Sequence, residues 1–219
     1  ILYDLSFYLL LIGTQGFFLY NMNLLVTGAA GYIGASFSYE ALKKGFRVYG
    51  CDNFINSDET NIKILENKFP NDFIFEKIDL STELEKVKNF ISNKQIECVI
   101  HFASLKSVEE SEKIPNEYWR NNLDSTFNVL KAMEDEGLKA LVFSSSASVY
   151  GQSKIQPLTE DTNLSPESTY GKTKLAIEFI LKDLAEKSLI NVASLRYFNP
   201  IGSHKDGLIV ESISDNQSN

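Results

Sequence analysis

From Met22 onward, short apolar runs alternate with longer amphipathic stretches. The runs Leu24-Leu25-Val26, Phe46 to Cys51, Phe73 to Lys77, Ile96 to Ala103, Leu138 to Phe143 and Asn191 to Tyr197 read as strands. Tyr32 to Lys44, Asp58 to Lys68, Ser81 to Asn93, Ser107 to Glu136 and the stretch opening at Pro166 read as helices. Gly45 and Gly137 stop two of these helices, Ser81 stands where a third needs its cap, and Pro115 breaks the longest. The run Ile96 to Ala103 is apolar almost without interruption, which marks a strand buried on both faces of a parallel sheet. Strand and helix alternate with no internal repeat, so the pattern predicts an α/β fold with a doubly wound parallel sheet.

The first junction carries the sharpest signal. The strand Leu24-Leu25-Val26-Thr27 runs directly into Gly28-Ala29-Ala30-Gly31-Tyr32-Ile33-Gly34, and helical sequence follows. Three glycines three apart, between a strand and a helix, are what a dinucleotide-binding turn requires. The first allows the tight turn, the second lets a pyrophosphate approach the backbone, and the third lets the helix pack close on the strand. Unpaired N–H groups at the helix start then suit phosphate oxygens.

Asp52 ends the second strand, at the tip beside that turn. A carboxylate there can accept both ribose hydroxyls of an adenosine and repels a 2′-phosphate. Asn53, Asn56 and Ser57 follow without a neighbouring Lys or Arg, so the sequence favours NAD over NADP. Asp79 and Leu80 close the third strand, where open parallel sheets place their ligands. His101 ends the fourth strand and reads as a core-edge histidine, not as a base or metal ligand.

The fifth strand leads into Ser144-Ser145-Ser146-Ala147-Ser148-Val149-Tyr150-Gly151, which puts serines at the ligand end of the sheet. Tyr170 and Lys174 stand four apart on the next helix and so share a face. An ammonium beside a phenol stabilises the phenolate and lowers its pKa from about 10. The positive charge of an oxidised nicotinamide pushes the same way. A tyrosine tuned in this way can act as a general base toward a sugar hydroxyl.

Composition adds limits. The 219 residues carry a formal charge of -8 and no basic run, which argues against a nucleic-acid partner. Cys51 and Cys98 lack metal-ligand spacing and read as buried thiols of a reducing, cytoplasmic compartment, with no metal expected. The apolar stretch Leu5 to Tyr20 is short for a membrane span, is interrupted by Gly13 to Gly16, and lacks the basic start of a signal peptide. A membrane anchor is the less favoured reading. Met22 reads as the natural start, and residues 1–21 as an upstream tail.

The glycine turn, the strand-end serine and Tyr-x-x-x-Lys together resemble the extended short-chain dehydrogenase/reductase superfamily. Within it, further segments are similar to the UDP-glucose 4-epimerase (UDP-galactose 4-epimerase) family. These are Asp52-Asn53, His101-Phe102-Ala103-Ser104-Leu105-Lys106-Ser107-Val108, Ser144 to Gly151, Tyr170 to Lys174, and Arg196-Tyr197-Phe198-Asn199-Pro200-Ile201-Gly202. The resemblance implies a Rossmann-like NAD-binding domain over residues 22–200. It further implies the start of a truncated substrate-binding region over 201–219, with most of the smaller domain that wraps a UDP-sugar lying beyond.

It also implies roles. Tyr170 would take the proton of the sugar 4-hydroxyl, Ser146 would hydrogen-bond that oxygen, and Lys174 would hold the nicotinamide ribose and tune Tyr170. Gly28, Gly31, Tyr32, Ile33, Gly34, Asp52, Asn53, Phe54, Ile55, Asn56, Ser57, Asp79, Leu80, Phe102, Ala103, Ser104, Leu105, Lys106, Asn121 and Phe198 match the family's NAD contacts, together with Ser146, Tyr170 and Lys174. Asn199 matches a contact to the sugar nucleotide, and a homodimer through the long helices is the family expectation. Related sugar-nucleotide dehydratases place an Asp-Glu pair after the strand-end hydroxyl, where this chain has Ala147-Ser148, so epimerisation is favoured over elimination. The implied reaction is C4 inversion of a UDP-hexose, UDP-galactose to UDP-glucose, through a 4-keto sugar. An epimerase of UDP-N-acetylhexosamines or UDP-pentoses, or a silent NAD-binding fragment, stands as the alternative. Ser104 and Glu109 depart from common glycines, and Val210 stands where a further glycine is usual.

Overall fold

The computed structural model describes residues 22–154, 156–200 and 207–209. The expectations for residues 1–21, for Ile201 and Gly202, and for almost all of 203–219 lie outside the described residues.

Six parallel strands form one sheet: β1 (Asn23–Thr27), β2 (Arg47–Asp52), β3 (Phe73–Lys77), β4 (Cys98–His101), β5 (Ala140–Ser146) and β6 (Asn191–Tyr197). Their spatial order is β3-β2-β1-β4-β5-β6. The helices between them are α1 (Tyr32–Lys43), α2 (Thr60–Lys68), α3 (Leu84–Asn93), α4 (Val108–Lys113), α5 (Pro115–Asp135) and α6 (Thr169–Glu186). This is the doubly wound arrangement that the alternation predicts. The strand order reverses between β1 and β4, and the carboxyl ends there open into a crevice.

Successive residues of a strand point to opposite faces, and β1 shows the consequence. Leu24 and Val26 enter one core layer with Phe37 and Tyr39 of α1 and Ile62 and Leu65 of α2. Leu25 enters the other layer with Val87 and Phe90 of α3, Val129 and Met133 of α5, and Ile177 and Leu181 of α6. Burying each such side chain contributes about 1.5–3 kcal/mol, so both faces hold the sheet.

Several element boundaries differ from the sequence expectation; the helix read as opening at Pro166 starts at Thr169, with Ser168 as its cap. Ser81 does not cap α3, which starts only at Leu84. Its hydroxyl instead donates to Asp79 Oδ1 at 2.6 Å, and its N–H to the same oxygen at 2.9 Å. A short carboxylate two residues upstream competes with the helix for that serine. Strand β4 stops at His101, and β5 runs on to Ser146 because β6 pairs with it to the end, Ser146 opposite Tyr197. Pro115 separates α4 from α5 as expected and occupies the first turn of α5, where its missing N–H costs nothing.

Cys51 and Cys98 are free and buried. Burial pushes the Cys98 thiol up to about 12 and the Cys51 thiol higher still, with the Asp52 charge adding to the latter. Such thiols are inert. Among the described residues no helix is long and apolar enough to cross a membrane.

Candidate active site

The turn after β1 is fixed by steric exclusion. Gly28 has φ 68°, and a Cβ on it would stand 2.8 Å from the Ala103 nitrogen. A Cβ on Gly34 would stand 2.2 Å from the Gly28 carbonyl oxygen, so α1 touches the strand end directly. At Gly31 the nearest atom to such a Cβ is the Gly28 oxygen at 3.5 Å, ordinary contact that leaves space for a ligand. Gly31 starts α1 without a side-chain cap and with no acidic residue in the first turn. The first N–H groups of α1 therefore suit an anion.

Asp52 stands at the end of β2 beside this turn. Its Oδ2 accepts the Ala30 N–H at 3.1 Å, and its Oδ1 accepts the Phe54 N–H at 2.8 Å and the Ser57 hydroxyl at 3.1 Å. All three donors are neutral, and a carboxylate has room for about four hydrogen bonds. Asp79 receives Asn53 Nδ2 at 3.2 Å in addition to Ser81. Burial alone would raise the Asp79 carboxyl, but the bonds from Ser81 and Asn53 outweigh it and hold the group below its usual range.

These groups and the β5 serines line one cleft of about 1260 Å³ across the β1/β4 switch point. Of the expected residues, the three glycines, Tyr32, Ile33, Asp52, Asn53, Ile55, Asn56, Ser57, Asp79, Leu80, Phe102 to Lys106, Asn121, Ser146, Tyr170, Phe198 and Asn199 all lie on its wall. Phe54 and Lys174 do not. Phe54 has φ 64° and turns its ring onto Phe75, with centroids 5.3 Å apart, so only its N–H serves the site, through Asp52.

Lys174 is 2% exposed and sits behind the wall. Its Nζ donates to Ser104 Oγ and to the Ser144 carbonyl, both at 2.9 Å, and lies 4.9 Å from the Phe143 ring centroid. Burial brings its pKa down to about 7. Ser104 is thus a partner of the buried amine. Tyr170 is the first-turn residue of α6, and Lys174 Nζ lies 5.8 Å from its ring centroid.

The sequence expectation for the phenol is reversed within the polypeptide. Burial raises the Tyr170 pKa, and the neighbouring Ser146 hydroxyl opposes that only in part. The reason is geometric: the Lys174 amine is aimed at Ser104 and Ser144, and its own burial disfavours the ammonium. Ser146 ends β5 and caps the short 3-10 turn Ala147–Tyr150, its Oγ accepting the Ser148 N–H at 3.2 Å.

His101 is buried as expected, and its tautomer follows from its neighbours. Thr126 spends its hydroxyl proton on the Asn122 carbonyl at 2.8 Å, so it accepts from His101 Nε2 at 3.2 Å. Nδ1 then accepts from Thr27 Oγ1 at 2.8 Å, which itself receives the Ala103 N–H at 3.2 Å. Burial, with the Lys174 charge assisting, lowers the His101 pKa to about 3 and keeps it neutral.

Other side chains that shape the site were not assigned from sequence. Asn122 accepts the Leu105 N–H at 2.8 Å and donates to Leu105 O at 3.2 Å and Thr173 Oγ1 at 3.1 Å, tying the cleft wall to α6. Ser111 Oγ and Glu112 of α4 accept the Tyr170 and Thr169 N–H groups at 3.1 and 2.7 Å. Glu178 meets Arg196 and Ser145. Only Glu178 left a trace in the sequence, at the next four-residue step after Tyr170 and Lys174.

Residues 24–216 match the model of the NAD dependent epimerase/dehydratase family. A UDP-glucose 4-epimerase of Bacillus subtilis is 44% identical over 191 residues, 87% of this chain and 56% of the relative. One of Dictyostelium discoideum is 42% identical over 197 residues, covering 90% and 57%. The chain thus spans little more than half the length of these relatives. The crystal structure of a UDP-glucose 4-epimerase from Stenotrophomonas maltophila with bound NAD and formylated UDP-arabinopyranose superposes with a TM-score of 0.86 at 38% identity, over 91% of this chain and 59% of that one. The enzyme from Bifidobacterium longum in complex with NAD+ and UDP gives 0.82 at 38% identity, over 87% and 57%. With its glycine turn, strand-end acid and Tyr-x-x-x-Lys helix on one cleft, this chain belongs to the NAD dependent epimerase/dehydratase family.

Proposed function

We propose that this chain carries the NAD-binding and proton-transfer machinery of an epimerase that inverts C4 of a UDP-hexose. The observation that carries the reading is one continuous cleft with the glycine turn and Asp52 at one end and Ser146 and Tyr170 at the other. The residues fit the cofactor. Gly31 leaves space for a pyrophosphate at the start of α1, and Asp52 has acceptor capacity for ribose hydroxyls. The relatives crystallised with NAD support the same assignment.

When bound, NAD supplies reversible acceptance of the hydrogen on C4, so that a 4-keto sugar is the transient species. The chain's own part is the proton. Tyr170 takes it from the 4-hydroxyl and returns it to the same oxygen, and Ser146 holds that oxygen by hydrogen bonding. Lys174, with a pKa of about 7, is charged in part of the population at neutral pH and spends its donors on Ser104 and the Ser144 carbonyl. Asn199 on the cleft wall is the candidate sugar-nucleotide contact. Ala147 and Ser148 offer no acid to expel a hydroxyl, which separates this site from elimination.

On this reading, residues 22–200 are the cofactor unit and the sugar grip begins after them. Two free buried thiols suit a reducing, cytoplasmic compartment. Phe127 on α5 and Phe179 on α6, 46% and 63% exposed, suit pairing of two copies through these helices.

The test is incubation of the chain with NAD and UDP-galactose and chromatography for UDP-glucose, with Tyr170→Phe beside it. The chain should form UDP-glucose, and Tyr170→Phe should slow this by about 100-fold or more, the usual scale of general-base catalysis, while still binding NAD. NAD binding without any UDP-glucose would overturn the reading. UDP-N-acetylglucosamine and UDP-xylose assayed alongside define the sugar range.

A further inference from the structure

We propose that the ion pair between Glu178 and Arg196 is a positioning device that sets the Ser146 strand end against Tyr170. The inference rests on the function proposed above for those two residues. It begins from a stripe on α6: Tyr170, Lys174 and Glu178 follow one another at four-residue steps and share a helix face. Two turns beyond the phenol, Glu178 meets Arg196, the β6 residue registered opposite Ser145. Arg196 Nε donates to Glu178 Oε1 at 3.0 Å and Nη2 to Oε2 at 2.7 Å, a two-pronged pair. The Ser145 hydroxyl donates to the same Oε1.

The guanidinium then reaches in the other direction. Nη1 donates to the Tyr150 hydroxyl at 2.9 Å and the Glu160 carbonyl at 3.2 Å, and the group lies 5.0 Å from the Tyr150 ring centroid. Ser146 stands between these anchors. Ser145 precedes it, and Tyr150 closes the 3-10 turn that Ser146 opens. One carboxylate therefore fixes the strand before Ser146 to the Tyr170 helix, and one guanidinium fixes the turn after it.

Neither Glu178 nor Arg196 lines the cleft, so their effect passes through the groups they hold. Their side chains are only 9% and 19% exposed, and loss of either leaves the other charge poorly solvated. The Arg196 pKa is held above its usual value by Glu178, so the guanidinium stays charged. Lys174 on the same helix lies 5.8 Å from the Tyr170 ring centroid, and Glu112 of α4 accepts the N–H of the preceding Thr169; the test leaves both unaltered.

The experiment follows Tyr170 itself. The full chain is labelled with ring-fluorinated tyrosine, and the Tyr170 resonance is assigned by its loss in Tyr170→Phe. Ser146→Ala should raise the titration midpoint of that resonance, because a hydroxyl that favours phenolate is gone. Ser145→Ala, which leaves every charge in place, should move it in the same direction by about half a unit or more. In turnover, Glu178→Gln should lower kcat by about 100-fold with KM and NAD affinity nearly unchanged, the scale expected of a small misplacement. Glu178→Asp should restore part of the loss. Should Glu178→Gln not fold, Ser145→Ala and Tyr150→Phe each delete one neutral partner and carry the same test. Variants that bind NAD like the parent but leave the Tyr170 midpoint unmoved would overturn the proposal, as would a midpoint insensitive to Ser146→Ala. Midpoint shifts in a chain that makes no UDP-glucose would uphold the device and remove only the assigned reaction.

Discussion

The two halves of the sheet meet between β1 and β4 and handle charge in opposite ways. On the β1–β2 side the site is built of backbone: a turn in which Gly28 and Gly34 exclude side chains, and one carboxylate receiving only neutral donors. On the β4–β6 side it is built of ionisable groups, the buried His101 and Lys174 and the half-buried Glu178–Arg196 pair. Holding phosphate and ribose needs space and direction, which backbone supplies without titrating. Moving a proton needs groups whose protonation burial has displaced. The difference shows how one cleft combines a rigid grip with adjustable chemistry.

The strongest way to break this contrast is to put a side chain where the first half allows none. Gly34→Ala places a methyl 2.2 Å from the Gly28 oxygen, and strain that cannot relax puts the loss beyond about 4 kcal/mol. Urea unfolding followed by circular dichroism reads this directly. Parent-like stability would show that the turn is not sterically fixed.

His101 sharpens the second half. Its folded pKa of about 3 lies below the free value of about 6.5, so below pH 6.5 the unfolded chain binds a proton that the folded one refuses. Stability should fall as pH drops from about 6.5 to about 3, with His101 contributing roughly 3–5 kcal/mol of the loss. His101→Gln should be less stable at neutral pH and should lack that part of the slope in a series of unfolding curves.

The smallest expected effect lies in Asp52. Asp52→Asn removes a charge that favours ribose hydroxyls and should weaken NAD binding by about 10- to 100-fold, as loss of a charged hydrogen bond implies. It should also narrow the preference for NAD over NADP. Calorimetric titration with both cofactors measures each. An unchanged NAD affinity would mean that the backbone alone does the binding in this half.

Sequence made the first half legible because its features are local. The glycines, the strand before them and Asp52 fall within one βαβ unit, and each has a steric or electrostatic reason to be the residue it is. The Tyr170–Lys174 pair was legible for the same reason, one helix turn apart. What the pair does to the phenol was not, because the direction of the Lys174 amine depends on Ser104 and Ser144, 70 and 30 residues away. The Asn122–Thr173 bond spans 51 residues and the Arg196–Glu178 pair joins a strand to a helix, so packing alone chooses those partners. Ser81 failed as a cap for a nearer cause, since Asp79 two residues away offers its oxygen first.

The stripe on α6 constrains length as well as identity. Each residue added to or removed from a helix turns everything beyond it by about 100°. An insertion or deletion between Tyr170 and Glu178 would carry the carboxylate off the face that meets Arg196, or swing the phenol away from the cleft, whichever end stays anchored. No choice of amino acid in the altered stretch restores the lost alignment. Point substitutions can be sampled one at a time along this helix, but the spacing has to be inherited whole.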